Sequence, residues 1–212
     1  MQAISILCVD DHDIVFQGLK LSLNNKFNIK TFENCLTGDE CLEMLKTNNY
    51  DLIILDVNLP DTDSQNLLEI ILVKYPNQKV LVFSMSPEEI YAKRFIKNGA
   101  YGYLSKDAKP AEVVTAVSTV LMGRKFVSMK VAQLLADDLT NGRINSSIQT
   151  LTEREFEIMR YFLGGLRSKD ISQLLNLHSS TIGTYKINIF NKLGVNNMME
   201  LAKVAKLNGI EF

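Results

Sequence analysis

Five residues suited to group transfer stand at or just beyond the ends of short apolar runs. Asp10 and Asp11 follow AISILCV (3–9), and Asp56 lies in DLIILDV (51–57). Ser84 ends KVLVFS (79–84), and Lys106 follows YGYLS (101–105). Three carboxylates, a hydroxyl and an ammonium form a coherent set. Carboxylates this close repel unless a hard cation sits among them. Mg²⁺ is usually held by one or two carboxylates, waters and substrate phosphate oxygens. A carboxylate not saturated by the metal can act as a nucleophile and become an acyl phosphate. The cation and Lys106 would then neutralise charge on the transferring phosphoryl group.

These residues act together only if the runs lie side by side. The first 125 residues alternate strand-like runs (3–9, 27–32, 51–57, 79–84, 101–105) with helix-like segments (13–24, 37–49, 64–74, 86–99, 110–122). Runs 51–57 and 79–84 are continuously apolar, as in strands buried on both faces. Strict alternation implies a parallel sheet with helices on both faces and right-handed crossovers. Ligands of such doubly wound sheets sit outside the carboxyl ends of the strands, where the five residues fall. Local signals agree. Asp13 is placed to cap the first helix. Ser86, Pro87 and Glu89 read as a cap, first-turn proline and capping box, with Gly99 ending that helix. His12, beside an oxygen-rich site, reads as a loop neighbour.

The composition sets bounds. Net charge over 212 residues is −1, but residues 1–147 carry 15 basic against 18 acidic residues, and 148–212 carry 8 against 6. The sign of that difference suits a C-terminal part that meets a polyanion. Cys8, Cys35 and Cys41 show no CxxC spacing and leave one unpaired, which fits a reducing compartment, with Cys8 buried in a strand. The N-terminus lacks a basic region ahead of its short apolar run and is not a signal peptide. No apolar run approaches membrane-spanning length. A cytoplasmic soluble protein without a membrane partner is expected.

VDDH (9–12), LDVNLP (55–60), the Ser84 strand end and GAYGYLSK (99–106) resemble the receiver domain of bacterial two-component response regulators. The resemblance covers about the first 125 residues. It implies a flavodoxin-like (βα)5 fold, with Asp56 as phosphoacceptor. Asp11 and Asp56 match direct Mg²⁺ ligands, Asp10 a ligand through water, and the Asn58 carbonyl the third protein ligand. Ser84 matches the hydroxyl that contacts the phosphoryl group, Lys106 the catalytic lysine, and Tyr103 the aromatic switch residue. Two positions depart from the pattern. Met85 stands where a small residue is usual, and Ser64 where glycine is common.

After a short apolar segment (131–135), DDLTNGRINSSIQT (137–150) reads as a polar linker. Beyond it the chain looks helical. LTEREFEIMRYFLGG (151–165) opens on a capping box, Thr152 and Glu155, with Phe156, Met159 and Leu163 on one face. SKDISQLLN (168–176) turns Ile171, Leu174 and Leu175 inward, and Asn176 suits a left-handed turn. HSSTIGTYKINIFNKLG (178–194) follows, with Ile182, Ile189 and Leu193 in the core. Two helices joined by so short a turn suit a recognition helix entering a major groove.

LTERE, the GL…KDIS stretch, TIGTYK and NKLGV resemble the LuxR-type helix-turn-helix of the NarL/FixJ response regulators, over roughly 150–208. Here too there are departures. Arg167–Ser168 replaces a small-polar pair, His178 a serine, so that Ser179 is expected to cap, and Gly183 a basic residue. Thr184, Lys186, Ile187 and Asn188 are candidates for base-edge or groove contact, with core packing a competing role for Ile187. Arg167, Lys169, Thr181, Tyr185 and Lys192 are candidates for phosphate contact. The last segment (197–209) offers Met198, Leu201, Ala202, Ala205 and Leu207, partly core and partly a dimer face.

The expected layout is a receiver at 1–125, a linker with a short helical segment at 126–149 and a small all-α helix-turn-helix domain at 150–212. The resemblance implies a transcription regulator, not an enzyme by role. Its expected partners are a sensor histidine kinase, promoter DNA, a second copy when phosphorylated, and RNA polymerase. Two other readings compete: a phosphorylation-independent transcription factor, and a hydrolase with an aspartyl-phosphate intermediate.

Overall fold

The computed structural model describes residues 3–60, 62–86, 88–133, 136, 148–207 and 210, without the side chains of Glu89, Ile90, Gln149, Glu153 and Leu207. The chain divides into two compact units, within 1–142 and 143–212.

The first unit alternates five strands, β1 (Ile4–Val9), β2 (Ile29–Cys35), β3 (Leu52–Leu55), β4 (Val80–Ser84) and β5 (Gly102–Ser105), with five helices, α1 (Asp13–Asn24), α2 (Gly38–Thr47), α3 (Ser64–Lys74), α4 (Glu88–Lys97) and α5 (Pro110–Leu121). The strands pair in parallel in the order β2-β1-β3-β4-β5. The β2 segment runs later than its alternating apolar pattern implies. Its final residue, Cys35, still pairs with Val9 of β1. Successive strand residues point to opposite faces. Ile6, Cys8, Leu52, Ile54, Leu81 and Phe83 therefore pack with Leu19 and Leu23 of α1 and Val113, Ala116, Val117 and Val120 of α5. Leu7, Val9, Ile53, Leu55, Val80 and Val82 point the other way and are equally buried. This double burial explains the unbroken apolar runs of β3 and β4.

Local chemistry sets the ends. Thr37 caps α2, its hydroxyl accepting from Glu40 N at 3.1 Å, and Asp63 caps α3, accepting from Gln65 N at 2.9 Å. Gly99, at φ 104°, follows α4 in a conformation that disfavours a side chain. Asp13 does not cap α1. The N-cap is His12, without a side-chain cap bond, and Asp13 lies inside the first turn. An acid there still favours the positive end of the helix dipole. The cap expected around Pro87 and Glu89 lies outside the described residues, as do residues 137–147 of the expected linker. Residues 129–133 are helical.

The second unit begins with a 3₁₀ turn (Ile148–Thr150). Four helices follow: α6 (Glu153–Leu163), α7 (Ser168–Leu174), α8 (Ser179–Leu193) and α9 (Met198–Leu207). The capping box of α6 is present: Thr152 Oγ1 accepts from Glu155 N at 3.2 Å, and Glu155 Oε2 accepts from Thr152 N at 2.7 Å. Asn176 takes φ 52° in the turn between α7 and α8, as its type foretold. Phe156, Met159, Ile171, Ile182, Ile189, Leu193, Leu201 and Ala205 are all buried. Leu174 corrects the expectation, being 57% exposed; the short α7 buries Ile171 and Ser172 instead. Ser179 does not cap α8 either. The N-cap is His178, and the Ser179 hydroxyl meets that of Ser172 at 3.1 Å.

Candidate functional site

The register of the sheet assembles the pocket. Val9 pairs with Leu55, and Asp56 N donates to Val9 O at 2.9 Å, so Asp10 and Asp56 leave adjacent strands together. Ser84 pairs with Ser105, and Lys106 N donates to Ser84 O at 2.9 Å, which brings the lysine to the same edge. In the order 2-1-3-4-5, β1 and β3 flank the topological switch point, where a crevice opens. Lys106 Nζ lies 2.8 Å from Oδ2 of Asp10 and 2.8 Å from Oδ2 of Asp56. Both carboxylates are buried, and the Asp11 side chain is about one-third exposed. One ligand atom from each of Asp10, Asp11, His12 and Asp56 falls within 4.8 Å of the others. Three carboxylates against one ammonium leave an excess of negative charge that a hard cation would offset, and oxygen donors suit such an ion.

Ser84 is fully buried, and its Oγ accepts from Ser86 N at 3.1 Å. Tyr103, 1% exposed, donates its hydroxyl to Ser86 O at 2.8 Å. The hydroxyl strand end and the aromatic residue thus meet at one residue, Ser86, through its N–H and its carbonyl. Asn58 is exposed, its Nδ2 directed at Ser86 Oγ at 3.4 Å. Met85 is 59% exposed and does not fill the pocket.

In the second unit, α8 presents Ser180, Thr184, Ile187, Asn188 and Asn191 to solvent at spacings of three and four, one face of a helix. Ile187 is 62% exposed, which removes core packing as its role. Arg167 and Lys169 are exposed, and Thr181 and Tyr185 are half-buried. Several of the expected DNA contacts are engaged within the unit: Arg167 Nε lies 3.2 Å from Asp170 Oδ2, and Thr184 Oγ1 donates to Ser180 O at 3.2 Å. Lys192 Nζ lies 2.6 Å from the buried Glu155 carboxylate. Lys186 Nζ sits 5.4 Å from the Phe162 ring centre and 5.5 Å from that of Phe190, within cation–π reach.

Residues 6–118 match the response regulator receiver domain family, and 149–205 match the luxR family of bacterial regulatory proteins. The chain belongs to the NarL/FixJ type of two-component response regulator. It is 32% identical over 206 residues to the fimbriae Z protein of Salmonella typhimurium, covering 97% of this chain and 98% of that one. It is 31% identical over 208 residues to the response regulator GacA of Pseudomonas viridiflava, covering 98% and 97%. Among solved structures, the Salmonella typhimurium RcsB response regulator shares the fold at 23% identity and a TM-score of 0.60, covering 97% of this chain and 99% of that one. RcsB from Salmonella enterica serovar Typhimurium, bound to promoter rprA with phosphomimetic BeF₃⁻, gives 22%, 0.62, 95% and 98%.

In this DNA-binding response regulator, burial and ion pairing oppose each other on the pocket groups. Burial holds the Asp56 carboxyl above its ordinary range, against the pull of Lys106. Burial alone would lower Lys106, but its bonds to Asp10 and Asp56 win and raise it. Sequence reasoning missed three participants. His12, read as a loop neighbour, has Nδ1 2.7 Å from Asp11 and 3.2 Å from Asp10. Ser64, noted only as a departure, donates its buried hydroxyl toward Asp56 O at 3.0 Å and Val57 O at 2.6 Å. Glu155, read as a helix cap, also holds Lys192, a pairing 37 residues apart that no local pattern announces.

Proposed function

We propose that a sensor histidine kinase phosphorylates this response regulator on Asp56 in a Mg²⁺-dependent step, and that phosphorylation controls promoter binding. The observation that carries this reading is the convergence of buried Asp56 with Asp10 and Lys106 at the switch-point crevice. Asp10, Asp11, Asp56 and the Asn58 carbonyl would hold the cation. Bound there, Mg²⁺ would supply positive charge to phosphoryl oxygens and relieve repulsion among the carboxylates. A carboxylate oxygen of Asp56 attacks phosphorus, the bond from phosphorus to the kinase histidine nitrogen breaks, and the imidazole leaves with the electron pair. Lys106 transfers its contact from the carboxylate to the phosphoryl oxygens. Ser84 donates to the same group, leaving Ser86 N, and Tyr103 follows the rearranged backbone of Ser86.

The receiver then favours a state that frees or dimerises the DNA-binding domain. Such a shift requires differential stabilisation of the two states by the phosphoryl group. Thr184, Ile187 and Asn188 would read base edges, asparagine pairing with adenine and isoleucine with a thymine methyl. Arg167, Lys169, Thr181 and Tyr185 would position the helix on phosphates. Lys186 and Lys192 complete the DNA-facing set only by leaving their partners within the unit. A symmetric dimer would read half-sites about one helical turn apart, or a multiple of it. RNA polymerase would be met at the promoter.

We take 1–125 as the receiver, 126–149 as the linker and 150–212 as the DNA-binding domain. The protein's own phosphorylation and dephosphorylation are the only chemistry assigned to it. Among the described residues no helix is long and apolar enough to cross a membrane. Free Cys8, Cys35 and Cys41 support a reducing, cytoplasmic setting.

Incubation with Mg²⁺ and acetyl phosphate, with intact mass and DNA affinity measured together, tests the proposal. A phosphoryl adduct lost in Asp56→Ala, with tighter DNA binding only in the wild type, supports it. DNA binding without an adduct would favour the phosphorylation-independent reading. Steady turnover of a phosphoester would favour the hydrolase.

A further inference from the structure

Ser64 stands where the receiver pattern has glycine, and its side chain serves a purpose that glycine cannot. It is fully buried at the start of α3. Its hydroxyl lies 3.0 Å from the carbonyl oxygen of Asp56 and 2.6 Å from that of Val57. The helix behind it is anchored by Asp63, whose Oδ1 accepts from Gln65 N at 2.9 Å and Asn66 N at 3.3 Å. The segment in front is anchored too. Asp56 N donates to Val9 O at 2.9 Å, and Asp56 Oδ1 accepts from Val57 N at 2.7 Å.

We propose that Ser64 is a positioning residue for divalent-cation binding, its buried hydroxyl holding the peptides of residues 56–58 in the orientation the cation requires. A hydrogen bond to Val57 O fixes the plane of the peptide joining Val57 to Asn58. Rotation of that plane changes the backbone angles on both sides and moves the next carbonyl, that of Asn58. A buried carbonyl deprived of its donor tends to turn toward another partner, because leaving it unsatisfied is costly. Glycine or alanine at position 64 has no donor to supply. The hydroxyl touches neither cation nor phosphoryl group, so its influence passes through the backbone. Both bonds come from one proton shared between two acceptors, the shorter to Val57 O.

The inference rests on reading Asp56 and the Asn58 carbonyl as cation ligands, and the test separates the two ideas. Full-length wild type, Ser64→Ala and Ser64→Gly are titrated with Mn²⁺, free ion being followed by electron paramagnetic resonance. Mg²⁺ affinity is then read by competition. Both variants are expected to bind Mn²⁺ and Mg²⁺ about five- to tenfold more weakly, the scale of one buried hydrogen bond. Phosphorylation by acetyl phosphate should return to the wild-type rate once Mg²⁺ is raised in proportion. A merely structural serine would lower melting temperature without changing metal affinity in the folded protein, and that outcome overturns the proposal. Wild type that binds neither ion overturns the pocket reading as well. If Ser64→Ala does not fold, Ser64→Gly gives the same decisive ratio.

Discussion

Replacing Lys106 with methionine roughly preserves side-chain length and removes the charge. In the wild type, Nζ lies 2.8 Å from each of two carboxylates that are 2% exposed, and the lysine itself is 9% exposed. Solvent screening therefore does not reduce this contact to the value of a surface pair. Without the ammonium, Asp10 and Asp56 face each other with ligand oxygens within 4.8 Å. At that separation or closer, and an effective dielectric of about 20, the repulsion left without its compensating ammonium is at least about 3.5 kcal/mol. The figure agrees with the ~3–5 kcal/mol lost when one partner of a buried ion pair is removed. Urea unfolding of the first unit in Mg²⁺-free buffer is expected to show a loss of about 3 kcal/mol. Added Mg²⁺ should stabilise the variant more than the wild type, because the ammonium no longer competes for the same oxygens. At about a hundred times Kd, ligand binding contributes about 2.7 kcal/mol, enough to recover most of the deficit. An unchanged urea midpoint without Mg²⁺, or equal stabilisation of both proteins by Mg²⁺, refutes the electrostatic account.

Asp56→Asn should raise the melting temperature in Mg²⁺-free buffer at about pH 8, with the gain shrinking as pH falls into the ordinary carboxylate range. The sign follows from the raised Asp56 pKa. The stability carried by a raised group is present below its unfolded pKa and lost as pH rises through the folded one, and asparagine avoids that loss. A gain independent of pH contradicts this. Tyr103→Phe removes the bond to Ser86 O and should cost about 1 kcal/mol. Its phosphoryl adduct should form normally by mass, while the tightening of DNA binding on phosphorylation is reduced. Lys192→Ala should lower thermal stability of the second unit by about 1 kcal/mol or more, since Glu155 is left buried with one partner fewer. Lys169→Ala should leave stability unchanged and reduce the slope of log K against log salt concentration by about 1 per bound protomer, about 2 for a dimer. The opposite pattern would exchange the roles of these two lysines.

Sequence alone determined the element order, the parallel sheet and the strand-end location of Asp10, Asp11, Asp56, Ser84 and Lys106. These follow from rules that act over a few residues: apolar periodicity, the cap at Thr152, the left-handed turn at Asn176, and the topology that alternating strands and helices permit. Sequence could also say that the carboxylates need a counter-charge. Tertiary structure decided which charge meets which. The register that aligns Val9 with Leu55 and Ser84 with Ser105 put Lys106 between Asp10 and Asp56. Tertiary packing within each unit likewise turned Lys192 to Glu155, exposed Leu174 and Ile187, and joined the Ser64 hydroxyl to the backbone of Asp56 and Val57. None of these pairings has a local signature. Hydrogen bonds and ion pairs depend on ångström-scale separations between groups far apart in the chain, and packing sets those separations.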